Sequence, residues 1–300
     1  MNKKIKRSLW TDIKESIPAY ILIAPTIIVL IIFLYIPFAN AIRISTYKFN
    51  GIGDLVDYVG FSNYSEILRN AKFYTAFYNT VKLITADLIF SLMIAFCLAY
   101  ILYSGIKFKN FFNTALFIPY LISMVVVGSI WTIIYDPNIG PLNQVLEMIG
   151  LKNLAQPWLS KSSTALPSII VTWIWRTIPF NMLILYANIM TLPSDYLEAA
   201  ELDGATTFQK LKYIFIPYLL PTFSVLAMLT ITNDLRAFDM VWIMTQGGPG
   251  GASEVITSFI YREAFTSQKF GTATAASIIT MVIMIAFTVI VKLSGKKEEE

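Results

Sequence analysis

Leu192-Pro-Ser-Asp-Tyr-Leu-Glu-Ala-Ala-Glu-Leu-Asp-Gly-Ala-Thr-Thr-Phe-Gln-Lys-Leu-Lys-Tyr-Ile-Phe-Ile-Pro217 is the stretch on which the reading of this chain turns, a polar island between two long apolar runs. Pro193 and Ser194 signal a helix start, and Asp195, Glu198 and Glu201 put negative charge in its first turns, where unpaired backbone N–H groups favour it. Gly204 lets the chain change direction. Lys210 and Lys212 fall toward the end of the next helical segment, and Pro217 tops the following span. The expected product is a helix, a turn and a second helix lying along a membrane surface, with Ala199 and Ala200 small enough to admit a close partner. Two readings of the island stand: a docking element presented to the aqueous phase, or a solvated loop that joins two spans.

The apolar flanks extend along the whole chain. Hydrophobic residues make up 56% of 300 and charged residues only 14%, against the roughly 25% charged of a soluble domain. Mean hydropathy is +0.63. Six stretches, near 19–42, 80–103, 111–135, 165–190, 218–244 and 272–293, reach the about 20 residues that cross a hydrocarbon core as a helix. Short alternating strands of the outer-membrane kind are missing. The fold expected is an all-α polytopic membrane bundle of about six transmembrane helices.

Lys and Arg set the orientation. Lys3, Lys4, Lys6, Arg7 and Lys14 precede the first span, Lys107 and Lys109 sit in the second-to-third connection, Lys210 and Lys212 in the island, and Lys292, Lys296 and Lys297 at the end. With alternating spans these fall on one side, so that side is cytoplasmic and holds both termini. Arg43, Lys48, Arg69, Lys152 and Lys161 fall opposite, offset by Asp54, Asp57, Glu66, Asp136 and Glu147. The organisation is then a cytoplasmic segment 1–17, a transmembrane domain 18–295 containing the 192–217 loop, and a charged tail 296–300. The first apolar run contains Pro25 and Pro37 and lacks an Ala-x-Ala exit, so it reads as a retained span rather than a cleaved signal. The net charge of +4 is explained by topology and anionic lipid and implies no nucleic-acid partner.

Histidine is absent and Cys97 is the only cysteine. This removes imidazole catalysis, most zinc sites and an internal disulfide. There is no Gly-x-x-x-x-Gly-Lys-Ser/Thr phosphate loop, so any ATP that drives the protein binds another subunit.

Ionisable side chains within a span are costly and count as functional candidates; here they are Asp87, Arg176, Asp234, Arg236 and Asp239. In the fifth span Thr230, Asp234, Ala237 and Val241 recur at helical spacing, with Asn233 beside them. In the fourth, Trp173, Thr177 and Phe180 form a comparable stripe, with Arg176 adjacent and Pro179 interrupting the helix. Such stripes offer hydrogen bonds and aromatic faces to a sugar. Equally, the aromatics serve packing, the threonines bond back to their own helices, and Asp87 and Arg176 form an interhelical ion pair.

The island resembles the "EAA" loop of the permease subunits of binding-protein-dependent ABC importers. Glu198, Ala199, Ala200, Gly204, Ile214 and Pro217 match that pattern, as does Asp203, and Ile216 stands where Leu is commoner. Tyr58-Val-Gly-Phe-Ser-Asn-Tyr64 is similar to a segment before the second span of carbohydrate importers, and Gly140, Asn143, Trp158 and Leu159 follow another of their patterns. Thr245-Gln-Gly-Gly-Pro249, locally a helix-ending turn, resembles the "T-x-GGP" of permeases similar to the larger maltose-transporter permease.

The resemblance covers nearly the whole chain. It implies a permease subunit, not an enzyme, that forms the path for a carbohydrate delivered by an extracytoplasmic solute-binding protein. The implied partners are a second homologous permease and a cytosolic ATP-binding-cassette ATPase dimer that carries the ATP and Mg, with no cofactor or metal in this chain. Coupling falls to Glu198, Ala199, Ala200, Asp203 and Gly204, and Thr177, Phe180, Thr230, Asp234 and Ala237 match positions that line the family's central site. The implied location is a bacterial or archaeal cytoplasmic membrane. Two alternatives are kept: an ion-coupled carrier using Asp87 and Asp234, and an importer of glycerol-phosphate-type solutes anchored by Arg176 or Arg236.

Overall fold

A computed structural model describes residues 9–295, with side chains placed for 20–109 and 111–286. The basic residues Lys3, Lys4, Lys6, Arg7, Lys296 and Lys297 and the tail 296–300 lie outside the described residues, as do the side chains of Lys14 and Lys292. Among the described residues the chain is helical almost throughout, and the only sheet there is the two-residue pairing of Tyr47–Lys48 with Asp57–Tyr58. Among the described residues four helices are long and apolar enough to cross a membrane: Tyr20–Ile44, Ala71–Tyr103, Ala165–Ile189 and Thr207–Asp234. A bent pair, Phe111–Leu121 and Met124–Ile134, gives a fifth if it forms one span, and Phe270–Ala286 is a shorter apolar helix within the 26-residue Phe270–Gly295.

Two of the expected spans are broken. The 111–135 stretch is two helices bent by 98°, because Ile122 is extended and the Ser123 hydroxyl caps a new helix by accepting the Val126 N–H at 3.4 Å. The 218–244 stretch stops at Asp234; residues 235–238 turn, and a short helix Asp239–Thr245 follows. At its other end this span is longer than expected. No separate second surface helix exists, since the helical run from Thr207 continues through Pro217 to Asp234 and places Lys210 and Lys212 in its opening turns. The reason is a π-turn, Leu211–Phe215, in which Ile216 N–H reaches back to Leu211 O and so carries the helix past a proline that has no N–H to give. The first span repeats the device at Ile31–Tyr35 ahead of Pro37.

The chain forms two compact units. One comprises the residues up to Ile67 with Glu263–Ile278. There Asn63 donates to the carbonyls of Ser45 and Tyr47 at 2.8 and 2.9 Å, and Lys269 pairs with Glu66 at 2.9 Å, which holds the Lys269 ammonium above its ordinary value. Gly271 passes so close to Tyr47 O that a Cβ would lie 2.1 Å from it, so the residue must be glycine.

The other unit, Leu68–Arg262 with the residues from Ile279 onward, has two apolar clusters separated by a polar layer. One cluster gathers Leu83, Ile169, Trp173, Ala237, Met240 and Val255; the other gathers Ala95, Ala99, Met182, Leu185, Phe215 and Leu226. Three helices carry stripes in steps of four residues through the polar layer, two of them running from one cluster to the other and the third ending in the layer. Leu83, Asp87, Ser91, Ala95 and Ala99 follow one another on Ala71–Tyr103, Ile169, Trp173, Thr177, Asn181, Leu185 and Ile189 on Ala165–Ile189, and Leu226, Thr230 and Asp234 on Thr207–Asp234. A four-residue step keeps side chains on nearly one helix face, so the first two stripes cross from apolar to polar and back, and the third passes from apolar to polar and stops at Asp234.

Candidate functional site

The polar layer is built from those stripes. Asp87 sits at the middle of the 33-residue helix, in a π-turn Asp87–Ser91, and is fully buried. Thr177 donates to Asp87 Oδ1 at 2.7 Å, Asn181 Nδ2 donates to Ser91 Oγ at 3.1 Å, and Trp173 Nε1 donates to Asp234 Oδ1 at 2.9 Å. Beside this layer a cavity of about 200 Å³ is lined by Asp87, Tyr120, Arg176, Thr177, Phe180, Asn181, Leu229, Thr230 and Asn233. Tyr120 stacks on Phe180 with ring centroids 5.2 Å apart and planes 22° from parallel. The Arg176 guanidinium lies 5.2 Å from the Tyr120 ring centre and donates to Tyr120 O at 3.4 Å, while its buried Nε has no partner.

Of the residues expected at a substrate site, Arg176, Thr177, Phe180, Thr230 and Asn233 line this one cavity. Trp173 and Asp234 do not; they bond to each other in the packing behind it. Ala237 falls after the break at Asp234, so the expected stripe of Thr230, Asp234, Ala237 and Val241 is not continuous. Ala237 and Val241 belong instead to the apolar cluster around Trp173. Asp87 and Arg176 form no ion pair: Thr177 takes the carboxylate and Tyr120 takes the guanidinium. Arg236 and Asp239 are exposed. Tyr120, Asn181 and Leu229 were not singled out in the sequence, and the one local signal for Tyr120 is that it follows Pro119 within its helix.

The island is a second site of different character. Helix Ser194–Leu202 presents Glu198 and Ala199 to solvent, with Ala200 half-buried. Asp203 ends the helix and Gly204 adopts φ +70°. Gly204 N–H bonds Glu201 O at 3.0 Å and Ala205 N–H bonds Ala200 O at 2.8 Å, the paired closure of a Schellman motif. Thr206 then caps the next helix in a reciprocal box with Gln209. Lys210 donates to Glu201 at 2.8 Å, and this hydrogen bond holds the exposed Glu201 carboxyl below its ordinary value. Leu202, Phe208 and Tyr196 stand 90%, 73% and 60% exposed on this element.

The remaining motifs form tied-down loops. In 136–159, a Cβ on Gly140 would lie 2.3 Å from Asp136 O, and Asn143 Oδ1 accepts the Trp158 indole N–H at 2.8 Å. Asp136 Oδ1 accepts the N–H groups of Ile139 and Asn138, which lower its carboxyl below the usual range. In the Gly-Gly-Pro turn, Gly247 at φ +80° packs over the Glu254–Arg262 ion pair, and Asn79 donates to the carbonyls of Ala252 and Glu254 at 3.0 Å.

A match to the family described as the binding-protein-dependent transport system inner membrane component covers residues 87–299. The chain belongs to that family. It is an ABC transporter permease, membrane-embedded through its apolar helices. Among its relatives, the probable ABC transporter permease protein YurN of Bacillus subtilis is 31% identical over 92% of this chain and 94% of its own length. The probable starch degradation products transport system permease protein AmyD of Thermoanaerobacterium thermosulfurigenes is 30% identical over 96% and 97%. The permease is also similar to a chain of a bacterial ABC transporter involved in import of the acidic polysaccharide alginate, with a TM-score of 0.84, 26% identity and coverage of 96% and 98%. A second structure of an alginate ABC transporter, in complex with a periplasmic protein bound to alginate pentasaccharide, matches with a TM-score of 0.82 at 26% identity, covering 95% and 96%.

Proposed function

We propose that this permease is one half of the translocation path of an ATP-driven importer for a sugar or oligosaccharide delivered by an extracytoplasmic binding protein. The observation that carries the reading is the cavity wall, where the Tyr120–Phe180 stack stands beside the hydrogen-bonding groups of Thr177, Asn181, Thr230 and Asn233. A sugar ring needs both, a flat face for its C–H groups and polar partners for its hydroxyls. The carbohydrates handled by the AmyD and alginate systems support the substrate class. At about 200 Å³ the cavity falls short of the roughly 300–1,000 Å³ of a complete small-molecule pocket, so a second homologous permease supplies the facing wall.

ATP, with its Mg, is bound and hydrolysed by a separate cytosolic ATPase pair that docks on residues 198–204. Leucine, phenylalanine and tyrosine side chains exposed as fully as Leu202, Phe208 and Tyr196 call for a partner that covers them. Closure of the ATPase pair then drives this rigid, doubly capped element and rocks the helix that continues from it, Thr207–Asp234, whose far end carries Thr230 and Asn233 to the cavity. The island and both termini face the cytoplasm of a bacterial or archaeal cell.

The test has two parts. A calorimetric ligand screen on the cognate binding protein identifies the solute; uptake of that solute is then followed in liposomes holding the complete transporter, with ATP trapped on the ATPase side. Uptake that needs ATP and ignores an ionophore is expected, and uptake without ATP that collapses with the ionophore overturns the importer reading in favour of an ion-coupled carrier. Arg176 favours a second substrate class, an acidic saccharide or glycerol-phosphate-type anion, because its guanidinium faces the cavity without a carboxylate partner. In that case Arg176→Gln suppresses uptake of the anion far more than uptake of a neutral sugar.

A further inference from the structure

Two aspartates meet where the helices Ala71–Tyr103 and Thr207–Asp234 pass each other. Asp87 is 0% and Asp234 1% exposed. Asp87 and Asp234 are bound by Thr177 and Trp173, one turn apart on the same helix, and the turn Asp87–Ser91 packs against the helix that ends at Asp234, which brings the two carboxyl groups together. Each has a single firm neutral donor on Oδ1, Thr177 for Asp87 and Trp173 for Asp234. Each Oδ2 is buried without a hydrogen-bond partner. Trp173 and Thr177 bind the pair, and Arg176, which lines the same cavity as Asp87, is turned toward Tyr120.

Two adjacent carboxylates with no cation between them repel, and burial weakens the solvent screening of each. Two fully neutral acids would leave two buried O–H donors, each needing an acceptor of its own. A single proton resolves both difficulties: one Oδ2 becomes an O–H donor and the other its charged acceptor, so both orphan oxygens are satisfied at once. We infer that Asp87 and Asp234 form a proton-binding site, sharing one proton in a carboxylic acid–carboxylate hydrogen bond that ties the two helices together. The pair takes up one proton from the acid form of the solvent, hydronium or buffer, as the helices meet, and no bond other than that O–H is made or broken. Its remaining negative charge and the Arg176 positive charge leave this wall of the cavity neutral overall, with Tyr120 the other titratable group facing it. The site follows from the packing alone and does not rest on the carbohydrate reading.

The experiment is infrared spectroscopy of the complete transporter in lipid at neutral pH, with the permease labelled with carboxyl-¹³C aspartate. Among the residues whose side chains are described every other aspartate, Asp54, Asp57, Asp136, Asp195, Asp203 and Asp239, is exposed or partly exposed, and Asp12 lies outside them, so a protonated aspartic-acid carbonyl band that is lost in both single variants arises from this pair. The expected result is one such band in the wild-type protein, shifted by the label and by exchange into D₂O. Each of Asp87→Asn and Asp234→Asn alone removes it, because the amide N–H₂ then serves as donor and the surviving carboxyl ionises. No band in the wild-type protein overturns the proposal, and this arm needs no variant to fold. A band that persists in either single variant also overturns it, because the protons are then held independently. A third arm compares thermal unfolding in choline, potassium and sodium salts of equal strength. Unchanged midpoints are expected, and a midpoint that climbs with one cation's concentration reassigns the pair as a metal-ion site.

Discussion

The polar island and the polar layer both rest on carboxylates, and they use them in opposite ways. Glu198, Glu201 and Asp203 stand in solvent and are organised by backbone bonds a few residues away, so the element is rigid but its charges are individually weak. Asp87 and Asp234 are buried, and their partners lie 90 and 61 residues away in the chain. A charge at that depth costs about 2.5–3.5 kcal/mol even on the gentlest scale, so each donor there matters more than any at the surface. The permease thus places a locally bonded, solvent-exposed element at one end of the continuous helix Thr207–Asp234 and a buried polar layer at the other.

That contrast predicts the size of single changes. The largest effect belongs to the buried layer. Trp173→Phe keeps the ring but removes the N–H that Asp234 accepts, leaving a buried carboxyl oxygen unpaired at a cost of about 1–3 kcal/mol. Thr177→Val does the same to Asp87. Both are expected to lower the thermal midpoint of the purified transporter, and an unchanged midpoint would mean that water reaches the layer.

Next comes Gly204. A Cβ there meets nothing within 4 Å, so the penalty of substitution is purely one of backbone conformation at φ +70°. Gly204→Val should cost about 1–2 kcal/mol in that turn and uncouple ATP hydrolysis from uptake, whereas Gly204→Asn, tolerant of the same conformation, should transport normally. Equal loss in both variants would show that the surface, not the turn, is what the partner reads. Thr206→Ala comes third. It removes the hydroxyl half of the capping box at about 1 kcal/mol and loosens the start of the long helix, which hydrogen exchange at residues 207–210 detects.

These two regions also differ in how far they can be read from the sequence. The island's helix start, its turn at Gly204 and its exposed charges are written within a few residues of one another, so Pro193, Ser194 and Gly204 sufficed for the first helix. The second helix was misplaced because Pro217 looked like a boundary; the π-turn at Leu211–Phe215 that carries the helix past it depends on backbone geometry no residue type announces. The broken third span failed for a related reason: Ile122 and Ser123 are unremarkable until Ser123 caps the following helix. In the layer, Arg176, Thr177, Phe180, Thr230 and Asn233 were visible as polar or aromatic interruptions of apolar runs, and the structure brings them to one cavity. What they touch was not visible. The Asn181–Ser91 bond, the Tyr120–Phe180 stack and the Trp173–Asp234 bond each join separate helices, and helical periodicity gives a face without naming the neighbour.

The smallest expected effect sharpens the comparison from the solvent side. Lys210 binds Glu201 across the turn at 2.8 Å, with Glu201 two-thirds exposed, and the bond holds the Glu201 carboxyl below its ordinary value of 4.5. A carboxyl lowered by folding stabilises the folded form above its unfolded value, and the contribution fades as pH falls through the lowered one. Glu201→Gln should therefore differ slightly from wild type at neutral pH and converge with it in acid, and raising salt to about 1 M should erase the neutral-pH difference by screening the pair. The buried layer should ignore the same salt, since no mobile ion reaches Asp87 or Asp234. A Trp173→Phe penalty that shrank with salt while the Glu201→Gln penalty did not would invert the assignment of inside and outside on which the division between the two regions depends.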